Sequence, residues 1–201
     1  MVKRNLFFAA LFFATMALSS ISSAAQIAVS NVTASSTFGT YSLSNLTNGS
    51  GLTGSLHSGD WTTKWLTNQN DPGTLVFDLG FAYDLTSSSI WNYGNGCCGA
   101  GRSVKDLGVE ASLDGITYFN IGSFLLNQPV GDPFAAESIS LITTAQFVRF
   151  NLNSNYGDSY TGLSEVQFFG EAASVSEASS IALLGLGLMG LGISRRKKKM
   201  L

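Results

Sequence analysis

The 201-residue sequence predicts an all-β fold, two antiparallel sheets packed as a sandwich or jelly roll. Three observations predict it: short apolar runs that alternate with period two, turn chemistry between those runs, and no amphipathic helix longer than a turn or two. Leu75 to Leu79 places Leu75, Phe77 and Leu79 on one face, and Gly80 marks its end. Leu85 to Trp91 forms the next strand. Leu107, Val109 and Ala111 alternate up to Asp114-Gly115, a hairpin signal, and Ile116 to Phe124 returns. Ser138 to Ile142, Gln146 to Leu152 and Leu163 to Phe169 complete the set. Without crossover helices, the strands can bury their apolar faces by packing sheet on sheet.

The ends of the chain differ from this middle. Met1-Val2-Lys3-Arg4 is a short basic start, Leu6 to Leu18 is an apolar run, and Ser23-Ala24-Ala25 supplies small residues before Gln26. That order is the one a secretory signal peptide uses, so residues 1–25 read as a leader and the mature chain as starting at Gln26. A retained membrane anchor is the other reading, although the run falls short of the roughly 20 apolar residues a spanning helix needs. At the far end Ile181 to Ile193 is apolar, and Arg195-Arg196-Lys197-Lys198-Lys199 follows it. A helix over Ala178 to Ser194 would be about 25 Å long, marginal for a bilayer core, and the basic cluster beside it would stay cytoplasmic. The domain between, residues 26–172, would then lie outside the cell, with 173–201 as a linker, apolar segment and basic end.

Removing the ends changes the charge. Between Gln26 and Ala172 the bases are Lys64, Arg102, Lys105 and Arg149, against twelve acidic side chains, a net charge of −8. Four scattered bases make a poor phosphate grip, which excludes nucleic acid as a partner. Cys97 and Cys98 are neighbours in a glycine-rich stretch, closer than an unstrained disulfide permits. A vicinal disulfide, an intermolecular bond and two free thiols all stay open, and neither a metal-ligand spacing nor a catalytic Cys/His pair is present.

Two resemblances add to this reading. The tail run Leu183-Leu184-Gly185-Leu186-Gly187-Leu188-Met189-Gly190-Leu191-Gly192, with Arg195-Arg196 after it, resembles the PEP-CTERM sorting signals of Gram-negative bacteria. The resemblance implies recognition by an exosortase-type enzyme and a transient hold in the inner membrane. Ser176-Glu177-Ala178 stands where that class carries Pro-Glu-Pro, so both prolines are absent. A plain C-terminal anchor is the alternative.

In the middle, Ala34-Ser35-Ser36, Asn45-Leu46-Thr47-Asn48-Gly49, Thr63-Lys64-Trp65 and Phe77-Asp78-Leu79-Gly80 occur in order. Ile90-Trp91-Asn92-Tyr93, Arg102-Ser103-Val104-Lys105-Asp106, Ala111-Ser112-Leu113-Asp114-Gly115, Phe147-Val148-Arg149-Phe150 and Gly162-Leu163-Ser164-Glu165-Val166 follow. This series resembles the discoidin or coagulation-factor type C family, whose galactose-binding-like jelly roll also serves bacteria as a carbohydrate-binding module. The resemblance implies a structural Ca²⁺ at Asn48, Thr63 and Glu165, hard oxygen donors that suit that ion. Asn48 replaces the commoner aspartate; Asn48-Gly49 also reads as a simple turn and Glu165 as a surface residue.

The candidate ligand-binding residues are Trp61, Arg102, Tyr156 and Tyr160. The three rings lie in polar, glycine-containing segments where no strand alternation asks for an aromatic, and Arg102 follows the glycine-rich loop. Aromatic faces stack on the apolar faces of sugars while nearby polar groups bind hydroxyls; packing against neighbouring loops is the competing use. Trp65, Phe77 and Phe150 read as core, Trp91 and Tyr93 as undecided, and the single histidine, His57, as a solvent-facing loop residue without triad neighbours. No catalytic residue is assigned. The sequence thus points to an exported, non-catalytic carbohydrate-binding module of the cell surface or biofilm matrix, its partner an extracellular polysaccharide. The alternative is a structural or adhesive matrix protein without a sugar site.

Overall fold

The computed structural model describes residues 24–95 and 99–174. The leader through Ser23, Cys97 and Cys98, and the apolar tail segment with its basic end lie outside the described residues. Among the described residues no helix is long and apolar enough to cross a membrane.

The chain forms β1 (Ala25–Ile27), β2 (Asn31–Ala34), β3 (Leu52–Thr53), β4 (Leu56–His57), β5 (Trp65–Leu66) and β6 (Thr74–Asn92). Then come β7 (Val104–Ser112), β8 (Phe119–Leu125), β9 (Phe134–Ala135), β10 (Glu137–Asn155) and β11 (Gly162–Ala172). Single 3₁₀ turns at Leu43–Leu46, Trp61–Thr63 and Ala100–Arg102 join some of them. The main sheet runs β1-β11-β6-β10-β7-β8, with β2 also on β6 and β5 also on β11; β3, β4 and β9 make a small separate sheet.

Every pairing between these strands is antiparallel. The sandwich arises because β6 and β10 are long enough to serve both layers. The first part of β6 pairs with β2 and with the last part of β10, which continues to β7 and β8. Its last part pairs with β11 and with the first part of β10. Phe77 and Phe150 from one layer meet Phe168 from the other, with ring centroids 5.2 and 6.0 Å apart, so the layers close on an aromatic centre. Leu75, Leu107, Val109, Val148, Leu152 and Val166 fill in around it.

Three sequence expectations change here. Gly80 does not end a strand: at φ +82° it takes a conformation L-residues avoid, its N–H donates to Asp78 Oδ1 at 2.8 Å, and β6 runs on through a bulge. Ser138 to Ile142 and Gln146 to Leu152 are likewise one strand, β10, interrupted by register shifts. The hairpin at Asp114-Gly115 is present, but the return strand starts at Phe119, because Asp114 Oδ1 accepts the N–H groups of Ile116 and Thr117 at 2.8 Å each and holds them in the turn.

Candidate functional site

Three loops meet at one end of the sandwich. Thr67 N–H donates to Thr161 O at 2.9 Å, Phe38 N–H to Leu66 O at 2.9 Å and Tyr156 N–H to Gly101 O at 3.0 Å. Backbone hydrogen bonds therefore lace together the segments around 38, 66, 101 and 160 before any side chain is considered. The opposite end is where β11 finishes: Ala172 pairs with Tyr83, and Ala173 N–H donates to Ala82 O.

Each loop is internally held. Thr37 Oγ1 accepts from Trp65 Nε1 at 3.0 Å, which ties the Phe38 segment to the buried tryptophan of β5. Asp60 caps the Trp61 turn by accepting Thr62 N–H at 2.9 Å, and that bond keeps its carboxyl below the usual range. Asn155 Nδ2 donates to Asp158 O and Tyr160 O at 2.8 Å each and locks the loop that carries Tyr160. A loop locked in this way presents its side chains with little ordering cost on binding.

Together the loops assemble a row of rings. Trp61 lies 5.6 Å from Tyr41, Tyr41 6.2 Å from Phe38, and Phe38 4.9 Å from Tyr160, centroid to centroid. Trp61 is 41% and Phe38 40% exposed, while Tyr41 and Tyr160 are half-buried. Arg102 closes the far end, its guanidinium carbon 5.0 Å from the Tyr160 ring and 5.9 Å from the Tyr93 ring, with Nε 3.4 Å from Asp158 Oδ2. Below the row Tyr93 is fully buried; its hydroxyl shares a 3.2 Å hydrogen bond with Tyr41, and burial raises its pKa. A polar groove of 280 Å³, lined in part by Asn70, Asp71, Asn155, Asp158 and Ser159, adjoins the Arg102 end through Asp158.

Three of the four residues singled out by sequence, Trp61, Tyr160 and Arg102, belong to this row. Tyr156 stands apart, with its hydroxyl donating to Leu126 O at 2.6 Å as a clamp between loops. Phe38 and Tyr41 complete the row and were not singled out, although Phe38-Gly39-Thr40-Tyr41 carries the same signal of aromatics in a polar, glycine-containing turn.

His57 is corrected from solvent-facing to buried. It is 0% exposed on β4, with Nδ1 donating to Ser58 O at 2.8 Å and its ring 5.7 Å from Phe134; desolvation lowers its pKa and favours the neutral form. Lys64 is equally buried: Nζ donates to Tyr93 O and sits 4.7 Å from the Tyr93 ring centroid and 5.4 Å from that of Phe134. Trp91 and Tyr93, undecided from sequence, are both buried, and Trp91 Nε1 donates to Ser55 O.

Of the residues assigned to a cation, Asn48 adjoins Gly49 and Glu165 binds it, while Thr63 Oγ1 lies beside Gly51. Glu165 is 1% exposed, both its oxygens accept Gly49 N–H at 3.1 and 3.2 Å, and burial pushes its pKa up to about 7. The reading of Glu165 as a surface residue is therefore corrected to a buried one. Asn48 Oδ1 accepts Ser50 N–H at 2.8 Å, and Thr63 Oγ1 donates to Asp60 O at 2.8 Å. Glu165 takes part in no described ion pair, and no group of three or more His, Cys, Asp or Glu gathers among the described residues, so a hard cation here would rest on one carboxylate and neutral oxygens.

Comparison with known proteins adds the following. Residues 31–166 match the family model of the F5/8 type C domain, and residues 174–197 match that of the PEP-CTERM protein-sorting motif. No curated protein matches the chain. Among solved structures, the family 32 carbohydrate-binding module of Clostridium perfringens NanJ, in complex with galactose, superposes with a TM-score of 0.57 at 14% identity, over 73% of this chain and 98% of that one. CBM32-3 from a family 31 glycoside hydrolase of the same organism gives 0.56 at 19% identity, over 73% and 95%. Truncated AlyQ, with CBM32 and alginate lyase domains, gives 0.55 at 21% identity; 76% of this chain is covered but only 34% of that one.

Proposed function

Because the chain belongs to the F5/8 type C domain family, we propose that its sandwich is a non-catalytic carbohydrate-binding module of an exported, cell-surface protein. The observation that carries this reading is the ring row at the loop end, in which Trp61 and Phe38 keep a large exposed area although three loops pack around them. Burial is the ordinary use of large aromatics, and exposed rings held by a rigid scaffold are suited to stacking on the C–H faces of sugars. Asp158 and the groove beside it supply acceptors and donors for hydroxyls. The structural relatives support the reading, since one of them is described in complex with galactose. A non-catalytic role fits the lone histidine, which is buried and held neutral.

The sorting motif extends the proposal to the whole chain: an exosortase-type enzyme processes the tail after a transient hold in the inner membrane. The tail leaves at the end of β11, and that strand, at about 3.3 Å per residue, carries the chain some 30 Å from the row. A structural Ca²⁺ held by Glu165, with oxygens of Asn48 and Thr63, would supply the positive charge that the buried carboxylate lacks and fasten the loop to β11.

A second reading, an adhesive matrix protein without a sugar site, draws on the apolar tip of the β7–β8 hairpin, where Leu113, Ile116 and Phe119 are exposed. A glycan array followed by titration calorimetry separates the two. Trp61→Ala is expected to weaken binding by about 1–3 kcal/mol with the melting temperature unchanged. Wild-type protein that binds no glycan would transfer the argument to the hairpin.

A further inference from the structure

We infer that the ligand is an uncharged glycan chain lying along the row over several consecutive sugars, rather than a single terminal sugar; this rests on the carbohydrate-binding reading above. The ring contacts run in the order Trp61, Tyr41, Phe38, Tyr160, with centroids 5.6, 6.2 and 4.9 Å apart, so half-buried Tyr41 stands between the exposed rings Trp61 and Phe38. A pyranose covers about one aromatic ring, so one sugar stacked on Trp61 leaves Phe38 uncovered beyond Tyr41. The two most exposed rings are thus separate subsites, and a ligand must continue from one to the other to use both.

Neighbouring rings are tilted to one another by 58°, 41° and 59°, so they form no single flat platform, and a ligand that touches both Trp61 and Phe38 must reorient between them.

Charge selects the class of chain. The two basic residues near the row are both engaged: Arg102 with Asp158 and the Tyr160 ring, and Lys64 buried against Tyr93. Asp60, exposed and ionised by its cap bond, stands next to Trp61 at the open end. Arg102 and Asp158 offset each other, so the surface along the row carries net negative charge. A polyuronate laid there would meet repulsion at Asp60 and would have to compete with Asp158 for Arg102, whereas a neutral chain meets neither cost.

The test is calorimetry on the purified full chain with β-1,4-galactan and cello-oligosaccharides of one to five units and mannuronate oligomers of the same lengths, at low and high salt. At least one neutral series is expected to gain tenfold or more in affinity between one and three units and then level off. Trp61→Ala and Phe38→Ala should each return the trimer to near monosaccharide affinity, with melting temperatures confirming that both fold. Mannuronate oligomers should bind at least tenfold more weakly at low salt and improve as salt screens Asp60. Equal affinity for monosaccharide and trimer would overturn the extended site while leaving a sugar-binding module in place, and tighter binding of mannuronate would overturn the neutral class. An array on which the protein binds nothing would sink the module reading itself, and this inference with it.

Discussion

Replacing Glu165 by Gln removes a charge that the fold holds at a cost. The carboxyl is 1% exposed, and desolvation outweighs the Gly49 N–H and Gln167 contacts that favour the anion, so its pKa stands at about 7 instead of 4.5. A raised folded pKa means that between pH 4.5 and 7 the folded state keeps a proton the unfolded state has released, so stability falls as pH rises through that window. At 1.36 kcal/mol per pKa unit the loss is about 3 kcal/mol, complete above pH 7. Glu110 and Asp71, whose pKa values are lowered, act in the opposite sense at lower pH, and they are present in both proteins. The difference between wild type and Glu165→Gln therefore isolates the one carboxyl. Urea unfolding from pH 4 to 8 in chelator should show wild type losing about 3 kcal/mol relative to the variant. Ca²⁺ favours the ionised form, and at a hundred times its Kd it should restore about 2.7 kcal/mol to wild type above pH 7 and much less to Glu165→Gln. Parallel pH curves for the two proteins would refute the desolvation argument, and wild-type stability indifferent to Ca²⁺ would remove the ion.

Tyr156→Phe should cost about 1 kcal/mol in urea unfolding, the scale of one lost hydrogen bond to Leu126 O, and leave glycan affinity unchanged in calorimetry. Asn92→Leu should cost about 3 kcal/mol or more by the same unfolding assay, because Asn92 Oδ1 accepts from Tyr93 and Val104 N–H and its Nδ2 donates to Val104 O and Asn127 O, all in buried or part-buried surroundings. Intact mass of exported protein should begin at Gln26 and lack the basic tail Arg195 to Lys199; a mass that includes either end refutes the corresponding cut.

Strand content was legible because alternation is a local property, while strand continuity was not. Along β6 the buried positions are Leu75, Phe77, Leu79 and Leu85, then Ser88, Ile90, Trp91 and Asn92; apart from Trp91, whose Nε1 donates to Ser55 O, the buried face changes from odd to even numbers. The switch occurs where Thr86 is the extra residue: Phe169 pairs with Ser87, and Gly170 with Leu85. A pattern that lapses after Leu79, where Phe81 is exposed, and changes phase near Thr86 looks in sequence like two strands with a gap. In the folded chain each irregularity bends one strand from the first layer into the second, which is how β6 and β10 serve both.

The site divides along the same line between local and assembled properties. Trp61, Tyr160 and Arg102 were legible because a large ring, or a base beside a glycine-rich stretch, needs a reason in a segment that builds no strand. The same rule also picked Tyr156, where the reason is a hydrogen bond across the loop end rather than a ligand surface. Composition cannot separate those two uses, since both call for a tyrosine in a polar turn. His57 failed differently: on β4 the two side chains point opposite ways, and it is Leu56 that is exposed and His57 that turns inward, where Ser58 O takes its Nδ1 proton and Phe134 covers its ring. With β4 only two residues long, no alternation was available to assign the faces, and hydrophobicity alone ranked the pair the wrong way round. Glu165 is the converse case. Its inward direction follows from its position between Ser164 and Val166, all three buried on β11, so the cost of its charge becomes visible only once the strand is seen to have no solvent face at that point. A buried carboxylate, a histidine and a lysine at one end of a small sandwich are what three loops enclose when they close over the strand ends, and the rings of the row remain exposed because those loops spend their polar groups on holding one another.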